Sequence, residues 1–515
     1  MTAPFRPHEI ERFGGFVRRR LGLHLDDTRI GALADVLQSR LDASGESCAA
    51  FLDRLETEHG KSDLRAIAAE VTVPETYFFR NNDQFRAFTE LVLPERLHAQ
   101  AGAKQLRVLS AGCASGEEAY SLAILIREAV RDRSWDVSIL GVDVNRAVLE
   151  KASRGRFTAW ALRETPPEVE RRWFRREGSE LVLDEEIRRS VRFEERNLME
   201  GNPDLWRPRT YDVIFWRNVM MYFSPECAQA VAARVARALV PGGYLFLGHA
   251  ETLRGISNDF HLRHTHETFY YQRKSGALTD SRHVRESQPE IDPAAVVHEV
   301  EPLAAVFEEA DSWVDTIHKA SQRIRSLTDA SRASTAPDSA AGREGLAPAW
   351  NLALPLELLQ KERFAEALEL VRALPPESAR DPNVLLLRAV LLTHGGPLAR
   401  AEEACNELLA IDELDAGAHY LLALCREGAG DCRAAIDHDQ VAVYLDPAFA
   451  MPRLHLGLMA RRTNDRASAG RDLAQALVLL QREAASRLLF FGGGFSREAL
   501  MALCRAELLA CGRQA

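Results

Sequence analysis

The chain reads as three kinds of structure in succession, with an α/β domain built on a mainly parallel sheet at its centre. Three observations predict this. From Gln105 to about Lys274, short apolar runs of strand length alternate with helix-periodic segments, the pattern of a parallel sheet covered on both faces. Before that stretch, residues 5 to about 98 carry apolar side chains at helical spacing. After it, Ala367, Ala401, Ala435 and Ala469 recur every 34 residues, as stacked helix pairs require.

Composition sets the bounds. A chain of 515 residues holds roughly three domains on ordinary lengths. With 46% hydrophobic and 27% charged residues it can bury ordinary cores and stay dissolved. A net charge of −10 argues against nucleic acid as the partner. The opening MTAPFRPHEIERFGG has no basic region followed by an apolar core, so no signal peptide is expected. No apolar run reaches the roughly 18 residues a membrane span needs, so no membrane insertion is expected. The eight cysteines include no CxxC pair and read as small buried hydrophobes in a reducing compartment, which points to the cytoplasm.

In the first segment, Ile10, Phe13, Phe16, Val17 and Leu21 share a helical face that Gly22 ends, and a second helix is expected from about Thr28 with Ile30, Leu33, Leu37 and Leu41 inward. Arg18, Arg19, Arg20, Arg29, Arg40 and Arg54 lie along these helices, and acids from Asp26 to Glu58 offset them. They read first as a solvated face, and second as a grip for an acidic helix. Val73-Pro74-Glu75-Thr76-Tyr77-Phe78-Phe79-Arg80 follows. Its phenylalanines suit a core, whereas Arg80, beside packed rings, calls for a carboxylate partner.

The central domain opens with LRVLSAGCASGEEAYSLAIL, residues 106–125: strand, glycine-bearing turn, helix. That arrangement aims helix-start N–H groups at a ligand. Glu117 and Glu118 stand at the helix mouth, where two carboxylates repel a phosphate and attract a cation or an amine. The pattern suits the aminoacyl end and sulfonium of S-adenosylmethionine better than a dinucleotide. A second strand, Val137 to Val142, ends in Asp143, 27 residues after Gly116 and placed for ribose hydroxyls or, alternatively, for a cap. Tyr211 to Trp216 makes a buried strand leading into Arg217-Asn218-Val219-Met220-Met221-Tyr222-Phe223. Pro241-Gly242-Gly243 turns into the strand Tyr244 to Gly248, and Glu267 to Arg273 alternates as a closing strand. Gly112, Asp143 and Asn218 then fall at the carboxyl ends of strands, where such sheets bind ligands. Between Arg154 and Asn197 the alternation breaks, and Leu181-Val182-Leu183 with Val191-Arg192-Phe193 predict a small antiparallel insert. His261, His264 and His266 have no metal-site spacing, and no metal is expected.

Residues 275 to about 346 lose the pattern and read as a flexible linker, with one amphipathic helix near Leu303 to Leu327. In the last segment, two further registers keep the 34-residue period: Ala389, Ala423 and Gly457, and Leu408, Ala442 and Ala476. Small residues at fixed places, where helices approach closely, mark an α-solenoid of tetratricopeptide (TPR) repeats. Its concave face is expected to take a further protein partner.

Several pieces together carry a resemblance: ETYFFR at 75–80, SAGCASGEEAYS at 110–121, GVDVN at 141–145, RNL at 196–198, RNVMMYF at 217–223 and GHAE at 248–251. In this order, over residues 8 to 274, the chain resembles the CheR-type chemoreceptor glutamate methyltransferases. The resemblance implies a class I methyltransferase fold with a Rossmann-like sheet, an all-α N-terminal substrate-recognition domain over 1–98, a methyltransferase domain over 99–274 and a small antiparallel β-subdomain at about 155–196. A linker over 275–346 and a TPR domain over 347–515 complete the chain, as in family members with such extensions. It further implies S-adenosylmethionine as cofactor, held by Thr76, Arg80, Glu118, Asp143, Asn197, Leu198, Asn218 and Val219, to which the turn adds Gly112. Pro74 stands where some members have Asn. The turn near Glu177 to Glu180 is shorter than in members that bind a receptor-tail pentapeptide, so no such tether is expected.

The implied reaction is methyl transfer to a glutamate side chain on the cytoplasmic helical domain of a chemoreceptor, giving a methyl ester and S-adenosylhomocysteine. A carboxylate with pKa about 4.3 is ionised at neutral pH, so no general base is needed. Arg80 is expected to steer that carboxylate and Tyr222 to shape the methyl-transfer channel, in a monomer. Two rivals are a nucleic-acid or small-molecule methyltransferase and a scaffold that only senses cofactor. Asn218-Val219-Met220 in place of a Pro-Pro-Tyr element disfavours the first, and the full set of site residues disfavours the second.

Overall fold

A computed structural model describes residues 5–23, 30–57, 61–72, 75–276 and 351–512. They belong to two units, one within 1–285 and one within 286–515. The expected linker from residue 277 on, its helix near Leu303 to Leu327, the helix start at Thr28, and Arg29 and Pro74 lie outside the described residues.

Four helices open the first unit: α1 Pro7–Leu21, α2 Ile30–Ser44, α3 Cys48–Leu55 and α4 Lys61–Val71. Gly22 ends α1 at φ +75°, and Ser47 caps α3 by accepting from the Ala50 N–H. Phe13, Val17, Leu37, Phe51 and Ile67 are fully buried in one core. Arg12, Arg19, Arg40 and Arg54 pair with acids of the same helical region. Arg54 pairs with Glu46 at 2.9 Å and also with Asp63, and Arg40 lies 3.2 Å from Glu70.

A helical run follows, α5 Asn82–Ala87, a π-helical turn Phe88–Val92 and α6 Leu93–Ala99. It precedes the boundary expected at 98, yet its apolar face belongs to the sheet: Phe85 stacks on Phe215 at 5.8 Å, and Phe88 meets Phe215 edge-on at 5.7 Å.

Ten strands then form two sheets. Seven make a mixed sheet in the order β6-β2-β1-β7-β8-β10-β9. β1 Gln105–Ala111, β2 Asp136–Asp143, β6 Val191–Glu195, β7 Tyr211–Trp216 and β8 Leu239–Leu247 run parallel, while β9 Phe260–Thr265 and β10 Thr268–Arg273 close it as an antiparallel hairpin. Every residue of β7 is buried, as a central parallel strand demands. Helices α7 Glu117–Ala129, α8 Arg146–Arg154 and α9 Pro225–Ala238 form its crossovers. This is the class I methyltransferase arrangement.

The insert is smaller than expected. β3 Arg156–Thr158, β4 Phe174–Glu177 and β5 Glu180–Leu183 make a three-stranded antiparallel sheet in the order β3-β5-β4. Val191-Arg192-Phe193, expected to pair with Leu181 to Leu183, instead forms β6, parallel to β2 on the edge of the main sheet. Phe193 explains the choice. Its ring packs edge-on to Tyr120 at 5.3 Å and fills the space over Gly141, where a Cβ would lie 2.7 Å from it. Gly178 and Ser179 alone join β4 to β5, so the turn is short. The hairpin β9–β10 turns at His266 and Glu267, both at positive φ. There His264 stacks on Phe269 at 4.2 Å, and His266 lies 2.9 Å from Glu90.

The second unit is all-helical, with ten described α-helices from Ala353–Gln360 to Arg497–Gly512. Ala367, Ala401, Ala435 and Ala469 are fully buried, as are Ala389 and Ala423, and Gly457 is buried with them. A Cβ on Gly457 would come 2.6 Å from Leu473 Cγ, so the period records close helix contacts and the repeats are TPR-like. His455 is fully buried here, Nδ1 2.6 Å from Asp439 and Nε2 3.2 Å from Glu427, which Arg462 also pairs. Burial pushes His455 down, but the two carboxylates outweigh it and hold the imidazolium up to about 10.

Candidate active site

The carboxyl ends of β1, β2 and β7 open into a cleft that spans about 1120 Å³ when its solvent-open mouth is counted in. Each wall follows from local sequence. After β1, Gly112 takes φ +78°, and a Cβ there would lie 2.3 Å from Val219 Cγ2, so glycine is required where two loops touch. Gly116, at φ +93°, starts α7 where a Cβ would meet Ala152 at 2.8 Å. Across the sheet, Asn218 adopts φ +57°. Its loop is clasped by the buried Glu251, whose carboxylate accepts from the N–H groups of Asn218 (2.8 Å), Gly248 (2.7 Å) and Met221 (3.1 Å). The N-terminal helices supply the remaining wall: Leu21, Leu23, Val71 and Thr72 line the cleft, and Leu23 bridges to Phe223.

All ten residues singled out from the sequence line this one cleft: Thr76, Arg80, Gly112, Glu118, Asp143, Asn197, Leu198, Asn218, Val219 and Tyr222. Asp143 ends β2 with each oxygen accepting one backbone N–H, from Asn145 at 2.8 Å and Ala114 at 2.9 Å. Burial raises its pKa, and these N–H groups partly offset the rise. Asn197 is fixed through Nδ2 to the Arg20 carbonyl at 2.7 Å. Arg80 differs from expectation. Its Nη1 donates to the Glu75 carbonyl at 2.9 Å, and among the described residues no carboxylate lies within ion-pair distance of it. The segment turns Arg80 outward because Phe78 and Phe79 are both buried, with Phe79 at φ +58° and its N–H on Ser121 Oγ.

The paired acids at the helix mouth also need correcting. Glu117 turns into the protein, 4% exposed, with Ser115 Oγ at 2.8 Å, and burial pushes its carboxyl up to about 7. Glu118 alone faces the cleft, and its charge is matched: Oε1 accepts from Ser110 Oγ and Oε2 from Arg217 Nε, each at 2.7 Å. Arg217 is the residue the sequence reading missed. It is 6% exposed, lines the cleft, packs against the rings of Phe85 and Phe215, and donates to Gln84 Oε1 at 2.7 Å. The available signal was a guanidinium placed directly after a strand buried from end to end.

Chemically, the cleft offers one hydrogen-bonded carboxylate at the second strand, a buried ion pair at the first, and a cationic rim at Arg80. Asp143 retains lone pairs for hydroxyl donors on a wall of the cleft. Fold and site together define an S-adenosylmethionine-dependent methyltransferase. Residues 74–269 match the family model described as CheR methyltransferase, SAM binding domain. Chemotaxis protein methyltransferase 2 of Vibrio cholerae is 30% identical over 270 residues, 52% of this chain and 93% of that protein. Chemotaxis protein methyltransferase 1 of Pseudomonas aeruginosa is 30% identical over 274 residues, 52% and 98% of the two. A Pseudomonas putida protein named probable biofilm formation methyltransferase WspC is 27% identical over 470 residues, 90% of this chain and 96% of its own. The chain belongs to the CheR family of chemotaxis protein methyltransferases.

Among the described residues, no helix is long and apolar enough to cross a membrane.

Proposed function

We propose that the enzyme esterifies glutamate side chains on the cytoplasmic helical domain of a chemoreceptor. The observation that carries this reading is Arg80: a guanidinium on the cleft rim with no carboxylate of the described chain beside it. It is free to present an anionic acceptor. Asp143 would hold the ribose hydroxyls, with Asn197, Leu198, Asn218 and Val219 around the base and sugar, Thr76 and Gly112 completing the wall, and Glu118 beside the aminoacyl end. The bound cofactor supplies an electrophilic methyl group on a sulfonium. An ionised glutamate attacks without a general base, so the chain contributes alignment and exclusion of water. Tyr222 borders the approach and would shape it.

The test is transfer of labelled methyl from S-adenosylmethionine to receptor cytoplasmic fragments, followed by release of methanol in base. Arg80→Ala should lower turnover at least about tenfold while S-adenosylhomocysteine affinity falls less. Label that resists base would refute the ester. The relative spanning nine-tenths of this chain is named for biofilm formation, which favours a receptor that signals to that behaviour. The TPR-like unit would bind a further protein partner.

A further inference from the structure

Beside the cleft stands a surface that the reaction chemistry leaves unused. Trp160, in the short 3-10 turn Ala159–Leu162 after β3, is 71% exposed, more than any other large apolar side chain described. Arg163 packs against it, its guanidinium carbon 4.4 Å from the Trp160 ring centroid and 3.5 Å from that of Tyr77, while Nη1 donates to the Trp160 carbonyl at 2.9 Å. The Arg80 guanidinium carbon stands 5.7 Å from the centroid of the same Tyr77 ring. Trp160, Arg163, Tyr77 and Arg80 therefore form one continuous ladder running from open solvent to the cleft rim.

The ladder is held in place. The Phe78 N–H donates to the Ala161 carbonyl at 2.9 Å, and Phe78 packs edge-on against Phe157 and Phe174. Burial, with Glu164 adding to it, raises the pKa of the Tyr77 hydroxyl. Among the described residues no carboxylate forms an ion pair with Arg163 or Arg80. Stacked guanidiniums are pre-ordered and keep their charge available. An exposed indole next to them adds apolar area at little entropic cost.

We propose that this ladder docks an acidic amphipathic helix of the protein substrate, its carboxylates on Arg163 and its apolar stripe on Trp160, so that the reactive glutamate reaches Arg80. The inference rests on the protein-substrate reading above. Its occupant is argued from two unneutralised cations with an aromatic anchor, and from continuity with the cleft.

The probe is a fluorescein-labelled amphipathic helical peptide carrying a glutamate face and a leucine stripe. It is titrated against the full-length protein saturated with S-adenosylhomocysteine and followed by anisotropy. The wild type should bind it. Trp160→Ala and Arg163→Glu should each weaken binding about tenfold, with Arg163→Lys between, since it keeps charge but loses the planar guanidinium. Circular dichroism melts confirm that the variants fold, which an exposed tryptophan makes easy to satisfy. Wild-type affinity in both disruptive variants, or no binding by the wild type, overturns the docking surface. With receptor fragments, Trp160→Ala should raise KM about tenfold with kcat changed less than about twofold. Peptide binding without any methyl transfer would instead sink the proposed reaction and leave the surface standing.

Discussion

Asp143, half-buried in the cleft wall, and Glu117, buried behind it, show how two desolvated carboxyls take different parts. Asp143 keeps both oxygens hydrogen-bonded yet still lines the cavity. Asp143→Ala should weaken S-adenosylhomocysteine binding about tenfold or more by calorimetry, since hydroxyl-to-carboxylate hydrogen bonds contribute about 1.5–3 kcal/mol. Glu117 is a structural acid whose pKa burial lifts to about 7. A carboxyl raised above its unfolded value binds its proton more tightly when folded. Its contribution is therefore full below pH about 4.5 and is lost as pH rises through about 7, by an amount on the order of 3 kcal/mol. Glu117→Gln should shrink the drop in melting temperature between pH 5 and pH 8. An unchanged drop would place that pH dependence elsewhere.

At the level of elements, the loop after β7 is the most exacting piece. Asn218 sits at positive φ, and one buried carboxylate, Glu251, gathers the Asn218 and Met221 N–H groups of the loop together with that of Gly248 after β8. Glu251→Gln turns an amide donor toward those donors. It should cost about 1–3 kcal/mol in denaturant unfolding and weaken cofactor binding as well. The quoted GHAE motif contained Glu251, but nothing in a sequence says that a carboxylate will fold back on a loop some 30 residues earlier. The strands carrying Gly112, Asp143 and Asn218 were legible because apolar runs ending in special residues can be read locally. β6 was not. A three-residue Val-Arg-Phe run has the same alternation whether it pairs with Leu181 to Leu183 or with β2, and the deciding fact is the space above Gly141 that the Phe193 ring enters. Phe193→Ala, at a half-buried ring, should therefore cost about 2–3 kcal/mol, less than the roughly 3–5 kcal/mol of a fully buried one, read from the urea midpoint.

Across the whole molecule, periodicity carried most of the fold. Three 34-residue registers identified the second unit, and the structure buries every member of them. The buried cluster around His455 left no such trace, because charged residues on a helix ordinarily read as surface. There His455→Ala strands Asp439 and diminishes the partners of Glu427. The second unit's unfolding transition in scanning calorimetry should fall by the equivalent of about 3–5 kcal/mol, the usual cost of leaving a buried charge uncompensated. The electrostatics of the cleft were legible only in part. Acids at a turn announce themselves in a sequence, but the arginine that neutralises one of them stands 99 residues away.

That pairing of Glu118 with Arg217 reaches beyond the cleft. Mobile ions shield exposed charges within about 8–10 Å at ordinary ionic strength but barely reach a desolvated pair. Cofactor affinity should then hold steady from dilute buffer to concentrated salt, whereas any encounter steered by the exposed arginines should fade. The ionic strength of the surroundings would govern how often the enzyme meets its target, and leave untouched whether it arrives charged with a methyl group.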